Sequence, residues 1–296
     1  MNRKIIVFCL LAVLTRSGCG AREEYAQIAA TTAPVYDFTA RLCQGTGLTV
    51  TRLVTEQVSC LHDYSLSVRQ VKAAEAAEVV VISGAGLEEF LEGVIDDTKA
   101  IDASRDIALL TPETEHSHDH EESHGHEGHH HEEDPHIWLS PENAKTMAGN
   151  ICAGLSDKYP QHQALLERNL AGLLSQLDDL QAYGEDTLEN LSCRELITFH
   201  DGFAYLAQAF RLTILEAVEE ESGSEASAQD LKHLIEEVEH HHLPAIFTET
   251  SGSVSAAGVI ARETGVKVFP LDMAMAGDSY FDAMYANIDT LKEALE

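Results

Sequence analysis

The stretch SLSVRQVKAAEAAEVVVISG, Ser65 to Gly84, changes character in its middle. Its first part is alanine-rich, free of proline and opened by serine, which reads as a capped helix. Its second part, VVVI, is a short β-branched run that reads as a strand. On its amino-terminal side, IAATTAPVYDFTARLC (28–43) and LTVTRLV (48–54) read as a strand and helix followed by a further strand. The three segments together have a βαβ rhythm. From Gln161 onward, Leu166, Leu170, Leu173, Leu177 and Leu180 recur every three or four residues without proline, which marks an amphipathic helix. At about 25 residues such a helix is roughly 40 Å long, enough to run the height of two lobes. Beyond it the rhythm returns. ELITFH, LTILEA, PAIFTET and KVFPLD are short β-rich runs, and AQDLKHLIEEVEH and SVSAAGVIARETG are helical segments between them. Alternation of this kind predicts an α/β protein of two lobes, each a mainly parallel sheet flanked by helices, joined by one long connecting helix. The expected bounds are 24–158 for the first lobe, 159–190 for the helix and 191–296 for the second lobe.

A chain of 296 residues can bury two such cores. Its opening, MNRKIIVFCLLAVLTRSGCG, has basic residues, an apolar run from Ile5 to Leu14 and small residues ending at Cys19, the pattern of an export signal over 1–19. SGC resembles the end of a bacterial lipobox, so Cys19 is expected to carry a lipid that anchors the protein to the outer face of the cell membrane. Arg16 stands where that motif usually has an aliphatic residue, and a secreted or periplasmic protein is the alternative. Removal of the signal leaves 16 basic residues against 50 acidic ones, a net charge of about −34 where the whole chain has −31. Such a surface attracts cations and excludes nucleic acid as a partner. Cys43, Cys60, Cys152 and Cys193 survive export; they can pair in three ways or remain free, and their spacing does not choose.

The chemistry-bearing residues are scattered. Ligands of parallel sheets bind outside the carboxyl ends of the strands, and His200, Glu249 and Asp272 fall at such ends. His62 in CLHDY and His136 in DPHIWLSP are further imidazoles beside aspartates. Imidazole and carboxylate are donors that zinc accepts in tetrahedral geometry. A separate run, HSHDHEESHGHEGHHHEEDP, holds His116, His118, His120, His124, His126, His129, His130 and His131 within a loop placed at 115–133. Low-complexity polar sequence of this kind binds metal weakly, because ordering flexible ligands costs conformational entropy. His240 to His242 close a helix, where proton-donating side chains suit the negative end of the dipole; weak, adventitious metal binding is the second reading of this run.

LHDYSLSVRQVKAAEAAEVVVISGAGLE, DPHIWLSPENAK, ITFHDGFAYLAQAFRL and IARETGVKVFPLD followed by YFDAMYANIDTLKEAL resemble, in order, landmarks of the zinc and manganese solute-binding proteins of bacterial ABC importers. The resemblance covers nearly the whole mature chain. It implies a non-enzymatic, monomeric receptor that captures Zn2+ between two lobes and hands it to a permease and its ATPase. The metal ligands it implies are His62, His136, His200 and Asp272, with Glu249 as a further cleft residue and the histidine loop as an auxiliary low-affinity collector. Manganese-carrying members have a carboxylate at the third position, where this chain has His200; an imidazole there favours zinc over Mn2+. Two other classes stand beside this reading. HSHDH resembles the H-x-H-x-D-H motif of zinc metallohydrolases with one residue missing between His118 and Asp119, and an extracellular zinc buffer or adhesin would need no importer.

Overall fold

A computed structural model of the protein describes residues 25–56, 61, 64–111, 133–218, 227–250, 254–275, 277 and 279–296. His62, Cys60, Cys19 and the eight loop histidines from His116 to His131 lie outside the described residues.

The first sheet contains β1 (Ile28–Ala30), β2 (Val50–Arg52), β3 (Val79–Ile82) and β4 (Ala100–Asp102), all parallel, in the order β2-β1-β3-β4. The second contains β5 (Glu195–Thr198), β6 (Thr213–Ala217), β7 (Ala245–Glu249) and β8 (Lys267–Leu271) in the equivalent order β6-β5-β7-β8, again all parallel. Pro270 sits within β8, where its missing N–H is tolerated because β8 is an edge strand. The helices are α1 (Ala33–Leu42), α2 (Val68–Ala76), α3 (Pro141–Lys158), α4 (Gln163–Thr187), α5 (Ala204–Ala209), α6 (Ala228–His241), α7 (Ser255–Thr264) and α8 (Tyr280–Leu295).

Local chemistry explains where several helices begin. Ser67 and Gln70 form a reciprocal capping box at α2, Ser227 and Asp230 do so at α6, and Ser140 and Ser279 cap α3 and α8. The serine-capped helix read at 65–84 is α2, and the strand it feeds is β3. The leucine series forms α4, whose 25 residues span about 37 Å. It begins after a 3-10 turn at Pro160–His162. Leu166, Leu173, Leu177 and Leu180 are buried along it, and Leu170 packs partly buried against the same core. Gly184 must remain a glycine, because a Cβ there would lie 2.2 Å from the Phe210 ring.

One face of each sheet packs on a core that runs through both lobes and includes α1, α3, α4 and α8. The opposite face of the first sheet is covered by α2 through Ala29, Leu53, Ala74, Val80 and Leu91. The second sheet is covered by α6 and α7 through Ile197, Leu234, Val238, Ile246, Ala257 and Ile260. Cys43 and Cys152 are buried in the shared core as free thiols, and Cys193 is free and half-buried. Burial, reinforced by the nearby Cys152, pushes the Cys43 thiol up to about 12, so it stays protonated.

Candidate metal-binding cleft

The shared strand order places a topological switch point between β1 and β3 in the first lobe and between β5 and β7 in the second, because successive crossovers leave those strands in opposite directions. In the second lobe His200 follows β5, Glu249 is the last residue of β7 and Asp272 follows β8. Glu249 is buried at 6 % exposure. The Asp272 carboxylate accepts the Ala274 N–H at 2.7 Å, and Asn287 bonds the Asp272 backbone on both sides at 2.8 and 2.7 Å.

The first lobe supplies His136, just ahead of a 3-10 turn at Ile137–Leu139. Its ring is 4 % exposed. Asp134 Oδ1 accepts both the His136 backbone N–H at 2.9 Å and ring Nδ1 at 2.8 Å. With the proton on Nδ1, the Nε2 lone pair is left for a ligand, the arrangement by which a carboxylate orients a metal-binding histidine. His136 and His200 lie with ring centroids 5.2 Å apart and planes at 81°. Gly202 permits this approach: a Cβ there would stand 2.8 Å from His136 Nδ1 and 2.5 Å from Met273 Cε.

The loop carrying His136 is tied to the second lobe by buried hydrogen bonds. The Tyr205 hydroxyl on α5 accepts from Leu110 N at 2.9 Å and donates to Asp134 O at 3.0 Å. Trp138 Nε1–H donates to Met273 O at 2.8 Å, and the Tyr280 hydroxyl donates to Trp138 O at 2.8 Å. Asp37 of α1 accepts Tyr280 N–H at 3.1 Å. Burial raises the Tyr280 and Tyr205 hydroxyls above their ordinary range, so both remain neutral donors. Sequence patterning did not single out these residues. Trp138 had one available signal, as the only tryptophan in the chain two places after His136.

The first lobe's switch point is filled differently. Glu88 reaches back into it and accepts the Thr31 hydroxyl at 2.6 Å, Ser83 N–H at 2.7 Å and Gly84 N–H at 3.0 Å. Burial pushes its carboxyl up to about 6 despite those three donors.

Of the residues expected to meet, the structure brings His136 and His200 together and sets Glu249 and Asp272 on neighbouring strand ends of the second sheet. No three histidine, cysteine, aspartate or glutamate side chains among the described residues converge as a metal cage, and His62 is outside that set.

Two parallel α/β lobes joined by a continuous helix, with imidazoles from each meeting at the strand ends, define a two-lobed solute-binding protein. The chain belongs to the family described as zinc-uptake complex component A, periplasmic, whose profile matches residues 28–294. It is similar to the high-affinity zinc uptake system protein ZnuA of Bacillus subtilis, with 28% identity over 98% of this chain and 96% of that protein. It is 29% identical over 97% of its length to the zinc-binding lipoprotein AdcA of Streptococcus pneumoniae, and spans 59% of that longer relative. The manganese ABC transporter substrate-binding lipoprotein PsaA of Streptococcus mitis shows 27% identity over 55% of this chain and 56% of its own. A crystal structure of ZnuA superposes with a TM-score of 0.76 at 28% identity, covering 92% of this chain and all of that one.

Proposed function

We propose that this protein is the extracytoplasmic receptor of a zinc importer, and that it binds one Zn2+ tightly through His62 and His136 of the first lobe and His200 and Asp272 of the second. The observation that carries this reading is the 5.2 Å separation of the His136 and His200 rings. Two imidazoles on one tetrahedral zinc, with nitrogens about 2.0–2.1 Å from the ion, have centroids about 5 Å apart. Asp134 supports it further by holding His136 with Nε2 available. Three nitrogen donors favour zinc over manganese, which prefers carboxylate-rich sites. Glu249, buried at the switch point of the second sheet, flanks the ion or completes its shell.

In this reading 24–158 and 191–296 act as the two lobes and 159–190 as the strut between them. The protein is a monomer with no catalytic role. It is held at the membrane by a lipid on Cys19 and passes its ion to a permease driven by an ATPase. The loop at 115–133 gathers zinc near His136 with lower affinity.

Zinc competition against a chelator, run on the mature protein and on His62→Ala, His136→Ala and His200→Ala, tests the site. Each substitution is expected to weaken the tight phase at least a hundredfold; tight binding unchanged in all three overturns the assignment. Manganese that displaces zinc at comparable concentration would establish the second reading, which the similarity to PsaA motivates. Deletion of 115–132 should remove weak sites and leave the tight one.

A further inference from the structure

The amino-terminal end of the second sheet, opposite the end that carries His200 and Asp272, holds another set of metal-type donors. β5 begins there at Glu195, and α6 ends there at His241. Glu237 and His241 are one helical turn apart, so their side chains share a face of α6. His241 stands between two carboxylates: Nδ1 is 3.0 Å from Glu195 Oε2, and Nε2 is 3.5 Å from Glu237 Oε2.

A neutral imidazole has one N–H and one lone pair. With the proton on Nδ1, donated to Glu195 at the shorter contact, Nε2 would turn its lone pair toward an anionic oxygen. Two acceptors facing each other repel unless a cation or a second proton lies between them. Two ligands of one tetrahedral zinc, each about 2.0–2.2 Å from the ion, are about 3.3–3.6 Å apart, and the Nε2 to Oε2 distance falls within that interval. Glu195 holds His241 as Asp134 holds His136, by its Nδ1. The His241 and Glu237 side chains are both 27% exposed, which leaves room for water to complete a coordination shell. The adjacent His240 ring stands 5.0 Å from that of His241 between centroids.

We propose that Glu237 and His241 form an auxiliary, low-affinity site for a zinc-class divalent cation on the outer end of the second lobe, with Glu195 as the residue that positions the imidazole. Two protein ligands and water make this a weak, exchangeable site. The strongly acidic surface raises the local concentration of cations around it.

The test uses the full mature chain labelled with 15N-histidine, with the His241 imidazole resonances assigned by their loss in His241→Ala. Zinc added beyond the tight equivalent should shift Nε2 of His241 to a metal-bound position while Nδ1 keeps its proton. Glu237→Gln should abolish that response. Glu195→Ala should weaken it tenfold or more, and Glu195→Gln, which keeps an acceptor for the Nδ1 proton, should restore most of it. The response should persist in His136→Ala, which separates this site from the cleft. Resonances unmoved at millimolar zinc, an imidazole that stays doubly protonated in the presence of zinc, or a response intact in Glu237→Gln would each overturn the proposal.

Discussion

Glu88 offers a sharp measurement because it is a buried carboxyl with three donors and no cation beside it in its hydrogen-bond set. Desolvation outweighs the hydrogen bonds from Thr31, Ser83 and Gly84, lifting the carboxyl from 4.5 to about 6. The folded protein therefore binds this proton more tightly than the unfolded chain does. Its contribution to stability is fully present below pH 4.5 and is lost as the pH rises through 6. At about 1.4 kcal/mol per pKa unit, the loss is about 2 kcal/mol. The chain's other carboxyls also titrate over this range, so wild type alone is not informative. Glu88→Gln cannot titrate, and subtracting its stability from that of wild type isolates the residue. The variant has a pH-independent offset, because one glutamine position is an NH2 where the carboxylate accepted Gly84 N–H or its partners. On that offset, wild type should lose about 2 kcal/mol relative to Glu88→Gln between about pH 4 and pH 7.5, measured by urea unfolding of metal-free protein. A flat difference would refute the reasoning. So would the opposite slope, which would mean that the three donors outweigh burial and hold the carboxyl below 4.5.

Asp134→Ala should weaken zinc binding by about 10- to 100-fold with the fold retained, because His136 loses the acceptor that selects its tautomer; unchanged affinity by chelator competition would count against that role. Gly202→Ala should also weaken zinc binding, since the new methyl would stand 2.8 Å from His136 Nδ1, and titration calorimetry showing wild-type affinity would mean the rings tolerate displacement. Leu177→Ala, at a fully buried position of α4, should cost about 2–5 kcal/mol in urea unfolding, and a loss under about 1 kcal/mol would show that α4 is not integral to the shared core. Zinc at about a thousandfold above its dissociation constant should stabilise the fold by about 4 kcal/mol, read as a rise in Tm that a chelator reverses, and a Tm indifferent to zinc would exclude a tight site in the folded state.

The elements themselves were legible in the sequence. The run VVVI after an alanine-rich helix became β3, the serine before that helix became its capping box, and the spaced leucines became α4. Each is decided by interactions among residues a few places apart: intrahelical pairing, a cap, the face an element must bury. His200, Glu249 and Asp272 were likewise recognisable as lying at strand ends, because a strand's limits are local. The order β2-β1-β3-β4 and its repeat in the second lobe were not local. They follow from how helices pack on both faces of each sheet, and they alone decide which strand ends border a crevice. Glu88 filling the first crevice, Asp134 gripping His136 and the Tyr205, Trp138 and Tyr280 bonds between lobes carry no periodic signal, since each is one side chain meeting one backbone or side-chain partner. The approach of His136 and His200, 64 positions apart in the chain and 5.2 Å apart in space, is a product of tertiary packing, in which the shared core and Gly202 let the loop carrying His136 close on the end of β5.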